Sequence, residues 1–139
     1  MDPYTINPST NRKTMQNVFN NNINMFGLHA EEAQLGIVCI QDNQLTYANP
    51  YISNISGYSN YELLKMQFIE LIHPDSQLLL ENNISLLLNG LVQTCYVCLK
   101  AIKKTGKEYW MDADLSVFTL NGNRSILAIL FDVTNQAEI

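Results

Sequence analysis

The sequence predicts an α+β domain built on one antiparallel sheet, and three observations predict it. The last third of the chain carries three alternating strands in hairpin order, 95–102, 109–120 and 125–134, joined by Lys103-Lys104-Thr105-Gly106-Lys107 and by Asn121-Gly122. Two shorter strands, at 36–41 and 44–48, stand before them with Asp42-Asn43 between. A helical middle, 51–88, separates the two groups. Strands split by a helical insert argue for a single sheet with helices segregated to one side.

Each element has a local reason. Residues 1–11 hold two prolines and small polar residues, and read as a flexible lead. From 12 to 26, apolar residues fall at Met15, Val18, Phe19, Ile23 and Phe26, the three-and-four spacing of one helix face. Gly27 is a C-terminal stop for that helix. The asparagines within it lower its intrinsic helicity, so it needs tertiary contact to persist. A further helical turn fits 29–34. Asp42-Asn43 is a tight-turn pair, and Asn49-Pro50 ends the second strand. Short helices fit 51–56 and 60–66, split by Gly57, with Asn60 expected to cap the second. After Ile72-His73-Pro74, Asp75 opens a longer helix that stops near Asn89-Gly90.

The faces of the sheet follow from period two. In 109–120, Met111, Ala113, Leu115 and Val117 share one row, whereas Asp112, Asp114 and Ser116 share the other with Trp110 and Phe118. In 95–102, Val97, Leu99 and Ala101 oppose Tyr96, Cys98, Lys100 and Ile102. The last strand has no polar row: Ile126, Ala128 and Leu130 alternate with Leu127, Ile129 and Phe131. A strand apolar on both sides is buried on both sides. The middle of the chain covers one face. Leu127, Ile129, Phe131 and Trp110 then need another cover, either the amphipathic segment 12–26 or a second copy of the chain. Each large side chain so covered contributes about 1.5–3 kcal/mol, and leaving four bare would create a costly patch.

Composition narrows the function. Over 139 residues, 47% are hydrophobic and 15% charged, so one domain with a sizeable core is expected. The net charge of −5 gains nothing from phosphate counterion release, which argues against nucleic acid. Lys100, Lys103, Lys104 and Lys107 cluster at one hairpin turn and read as a solubilised loop. No apolar run reaches the roughly 18 residues of a membrane span, and no secretory signal is legible. Three cysteines form no disulfide framework, so a cytoplasmic location is expected.

Taken in order, Gly36-Ile37-Val38, Tyr47-Ala48-Asn49-Pro50, Gly57-Tyr58-Ser59 with Glu62-Leu63-Leu64, Ile72-His73-Pro74-Asp75, Lys104-Thr105-Gly106 with Trp110, and Asp132-Val133-Thr134 resemble a PAS domain, a small sensor module of signalling proteins. The resemblance runs from about residue 35 to 134. It implies strand order 2-1-5-4-3, helices over a small internal cavity, and homodimerisation through the outer sheet face and an N-terminal helix. It also implies that Asp132 and Thr134 sit where such domains hand a signal to a following helix or effector. Residues 135–139 would then begin a linker.

The same resemblance allows cofactors to be tested by residue type. Haem-binding relatives place a histidine on the long helix, and 75–89 has none. Flavin photosensors and the photoactive-yellow type need a cysteine in the middle of the chain, and none lies between Cys39 and Cys95. Non-covalent flavin stays open. His73 is expected to cap the long helix rather than bind metal, and His29 to lie at the surface. Cys95 and Cys98, three apart on a strand, point to opposite faces and cannot jointly grip zinc or close a redox loop. Asp112 and Asp114 read as a solvated edge. Asn49 is expected to hydrogen-bond backbone at the strand-to-helix corner, with Gly57 as the structural break after it.

By alternation and by parity with the family, Val38, Ile40, Leu45, Val97, Leu99, Met111, Ala113, Leu115, Ala128 and Leu130 face the cavity. Binding pockets normally supply a few convergent polar groups, and this row offers none. The cavity is therefore expected to be filled or weakly binding, with a small apolar ligand or a flat ring as the alternative. The reading is a non-enzymatic, homodimeric PAS sensor. The rivals are a cofactor-bound sensor and a small isomerase-like α+β enzyme, and the latter lacks any inward carboxylate or histidine.

Overall fold

The computed structural model describes residues 35–134. The expected lead, the amphipathic segment with Met15, Val18, Phe19, Ile23 and Phe26, the turn at 29–34 and the terminal linker lie outside the described residues. Within them the chain runs β1 (Gly36–Gln41), β2 (Gln44–Ala48), α1 (Pro50–Ser56), α2 (Asn60–Leu63), a 3₁₀ turn (Phe68–Leu71), α3 (Pro74–Leu88), β3 (Thr94–Ile102), β4 (Glu108–Leu120) and β5 (Asn123–Asp132). The five strands form one antiparallel sheet in the order β2-β1-β5-β4-β3.

Turn chemistry sets the hairpins. Asp42 and Asn43 both adopt positive φ, 52° and 67°, as do Asn121 and Gly122, at 53° and 77°. Paired left-handed residues match the right-handed twist of the flanking strands, and Asn, Asp and Gly bear that conformation at least cost. The last strand lies two residues earlier than expected at each end, so Thr134 falls beyond it.

The short helices depart further from the sequence pattern. The helix expected over 60–66 stops at Leu63, and Ser59, not Asn60, caps it. The Ser59 hydroxyl accepts from the Glu62 N–H at 3.1 Å, while the Glu62 carboxylate accepts from the Ser59 N–H at 3.0 Å. This reciprocal box satisfies two orphan donors and explains the shift. The 3₁₀ turn was not foreseen. The long helix opens at Pro74, which suits a first-turn position.

The sheet buries hydrocarbon on its inner face, where Val38, Leu99, Met111, Leu115 and Leu130 pack with Ile52, Leu63, Phe68, Leu80 and Leu87 from the helical side. On the outer face Leu35, Ile37, Cys39 and Tyr47 form a second buried cluster, with Phe118, Leu127 and Ile129 packed partly buried against it. Trp110 is half-buried, with the Lys100 ammonium 5.8 Å from its ring. Phe131, at the margin of the outer row and opposite Asp112, is 41% exposed, so the described residues do not cover all four outward side chains.

Candidate functional site

All ten inward residues named from the sequence belong to the inner cluster. They are buried there together with apolar residues of the helices. Clefts open beside this cluster. A cleft of about 370 Å³ sits between α3, the 3₁₀ turn and the β1–β2 hairpin, and of the ten only Ile40 reaches it. Its floor is Ile40, Phe68, Leu80, Ile84 and Leu88, and its rim is Asn43, Gln67, Glu81, Ser85 and Asn89. A neighbouring cleft of about 350 Å³ shares Ile40, Asn43, Ile84 and Leu88 and reaches Arg124.

The polar rim is what sequence reasoning missed. Its signal was present: Glu81, Ser85 and Asn89 recur every four residues, one stripe of a helix. An apolar floor with convergent amide, hydroxyl and carboxylate groups is the usual make-up of a small-molecule pocket. The lining holds no histidine to serve as a haem ligand and no thiol for a covalent flavin bond. Among the described residues no cluster of His, Cys, Asp and Glu could hold a metal ion.

The other residues named from the sequence lie apart from the cleft. Asn49, 1% exposed, ties the start of β1 to the head of α1: its Oδ1 accepts from the Ile37 N–H at 3.0 Å and its Nδ2 donates to the Leu35 carbonyl at 2.9 Å. Gly57 ends α1 at φ 81°, a conformation that glycine bears without a Cβ penalty. His73 is the N-cap of α3: its Nδ1 accepts from the Asp75 N–H at 3.0 Å, which leaves Nε2 to donate to the Glu108 carboxylate 3.2 Å away. Cys95 and Cys98 project to opposite faces, the first half-buried, the second exposed. Cys39 is buried on the outer face, where burial pushes its thiol up to about 11.

Just past the end of β5, Thr134 closes a small network. Its hydroxyl donates to the Asp132 carboxylate at 2.7 Å and accepts from the Trp110 N–H at 3.2 Å, while the Val133 N–H donates to the Trp110 carbonyl at 2.9 Å. Asp132 also accepts from the Thr134 N–H at 3.1 Å. The end of β5 is thereby fastened to the β4 residue whose ring lies on the outer face. Two lysines of the hairpin cluster form ion pairs. Lys104 pairs with Glu62 at 2.7 Å and Lys100 with Glu108 at 3.1 Å. Lys104 holds the Glu62 carboxyl below the ordinary range, and Lys100 does the same for Glu108. Among the described residues no helix is long and apolar enough to cross a membrane.

The sequence profile of the PAS domain family matches residues 34–135, and the chain belongs to that family. Solved structures repeat the fold. A PAS domain from Colwellia psychrerythraea is similar with a TM-score of 0.70 at 15% identity, covering 85% of this chain and 98% of its own. A PAS domain of a Desulfitobacterium hafniense protein gives 0.64 at 22% identity, over 73% and 95%. The N-terminal domain of a diguanylate cyclase with a PAS/PAC sensor, from Marinobacter aquaeolei, gives 0.63 at 14% identity, over 75% and 99%. The comparison with curated proteins returned no match.

Proposed function

We propose that this chain is a non-enzymatic sensor and dimerisation module of intracellular signal transduction. Residues 1–11 act as a flexible lead, 12–34 as a helical cap and dimerisation segment, 35–134 as the sensor, and 135–139 as the start of a linker. Two copies meet through the outer sheet face, around Trp110, Leu127, Ile129 and Phe131, with Met15, Val18, Phe19, Ile23 and Phe26 completing the seam. The site of action is the cytoplasm, and the downstream effector lies in the same chain or another.

The observation that carries this reading is the exit network of Asp132, Thr134 and Trp110. It couples the end of β5 to an outward residue of the sheet, so a change in outer-face packing is felt where a following segment begins. Occupancy of the cleft or strain in the inner cluster then shifts the balance between two packings, a population shift that needs a ligand with different affinity for each. The polar rim of the cleft favours a small organic ligand as the input. Native mass spectrometry of the freshly purified chain tests both points. A dimer that loses its partner on deletion of residues 1–27 supports the reading. A monomer at high concentration, or an oligomer indifferent to that deletion, overturns it.

A further inference from the structure

Among the described residues β3 is an edge strand, and its free side is covered at one end only. The Lys100 N–H donates to Ser76 Oγ at 3.0 Å and the Lys100 carbonyl accepts from the His73 N–H at 2.9 Å. Those groups therefore point away from β4. Alternation then aims the N–H and C=O of Cys98 and Tyr96 the same way, and β3 has no strand partner there among the described residues. Both residues are exposed. Sheet edges are normally guarded by lysine, proline or a bulge. The run Thr94-Cys95-Tyr96-Val97-Cys98-Leu99 has no charge and no proline, and pairs with β4 in unbroken register.

The two flanks of this open edge differ. On the helix side α3 follows the edge, with Ser76 over Lys100 and the Asn83 carbonyl 3.8 Å from Cys95 Sγ. Leu79 and Leu86 stand on the next row outward, 45% and 39% exposed. On the outer side the neighbouring β4 presents Asp112 and Asp114, opposite Cys98 and Tyr96. No lysine or arginine occurs from residue 66 to 99.

From this we infer that the β3 edge is a docking site for an extended segment of a partner protein, added as a sixth strand, whose side chains alternate between apolar and basic. Apolar residues meet Leu79 and Leu86, and basic residues meet Asp112 and Asp114. Main-chain bonds supply affinity and the alternating side chains supply selectivity, as in other strand additions. A second copy of this chain is a poorer occupant, since its own edge brings a further acidic row and its one cation there, Lys100, is already paired with Glu108.

The probe is a short capped peptide of alternating lysine and valine, titrated into the full chain, with a glutamate–valine peptide as control. The lysine peptide should bind at least about tenfold more tightly at low salt, with the difference shrinking as salt rises. It should also slow amide exchange at Tyr96 and Cys98. Cys98→Pro removes an edge donor without touching the β4 ladder, a position where proline is tolerated, and should abolish binding. A lysine peptide with N-methylated ladder amides should fail on the unaltered protein, which keeps the test informative if the proline variant does not fold. Equal binding of both peptides, or binding that leaves the Tyr96 and Cys98 amides unprotected, overturns the inference. So does self-association through this edge that Cys98→Pro removes.

Discussion

At the scale of single residues, Asn49 does the most with one side chain. Its amide is buried and serves one backbone donor and one backbone acceptor of the β1 entry. Asn49→Leu leaves the Ile37 N–H and the Leu35 carbonyl unpaired in the interior, at about 1–3 kcal/mol each. A urea melt should show a loss of about 2–5 kcal/mol. Asn49→Asp is the sharper test because it carries a sign. The carboxylate still accepts from Ile37 but faces the Leu35 carbonyl, and burial further disfavours its charge. Its pKa is then higher folded than unfolded, so the folded state holds the proton more tightly. The variant should be most stable at low pH and lose stability as pH rises above about 4. A flat or rising pH profile would show that Asn49 is not held by these two bonds.

At the scale of elements, the strands were legible and the short helices were not. Strands announce themselves by period two and by turn pairs such as Asp42-Asn43 and Asn121-Gly122, whose left-handed backbone favours these residue types. A four-residue helix such as α2 has no periodicity to read, and its extent is set by contacts far along the chain. The Glu62 box with Ser59 and the Glu62–Lys104 pair, 42 residues apart, fix it. The 3₁₀ turn at Phe68–Leu71 was missed for the same reason, and with it one wall of the cleft. The inward row was readable from alternation, whereas the position of the open volume depends on how α3 leans over the sheet.

Glu62 has its carboxyl lowered first by Lys104 and then by Ser59. A depressed acid contributes stability above its unfolded pKa, about 4.3, and loses it as pH falls through its folded value. The advantage of the native chain over Lys104→Met, read by amide exchange at Leu63 and Leu64, should therefore be present at neutral pH, vanish in acid, and weaken with salt. An advantage that persists in acid would mean that Lys104 acts through its contact with the Tyr58 ring, 5.9 Å away, and not through charge. Gly36 makes the packing argument. A Cβ there would run into the Ile52 side chain of α1 and lie 3.2 Å from Leu130 Cβ. Gly36→Ala should cost about 1–3 kcal/mol despite the entropy gained by removing a glycine, seen as a lower melting temperature.

At the scale of the whole molecule, the sheet separates two jobs between neighbouring residues of one strand. Leu130 is fully buried on the inner face, whereas Ile129 is partly buried on the outer face between Ile37 and Asp114. Leu130→Ala should cost about 2–5 kcal/mol, the range for emptying a packed core site. It should leave the oligomeric state of the folded fraction unchanged. Ile129→Lys places a cation opposite Asp114, a favourable cross-strand pair, so it should disturb the fold less while putting a charge into the outer face. If that face is the seam between two copies, Ile129→Lys should shift the chain toward monomer in light scattering, with a circular dichroism spectrum like that of the parent. Should Ile129→Lys remain dimeric while Leu130→Ala dissociates, dimerisation would follow the stability of the domain and not its outer surface. The route proposed from the sheet to Asp132 and Thr134 would then lack its first link.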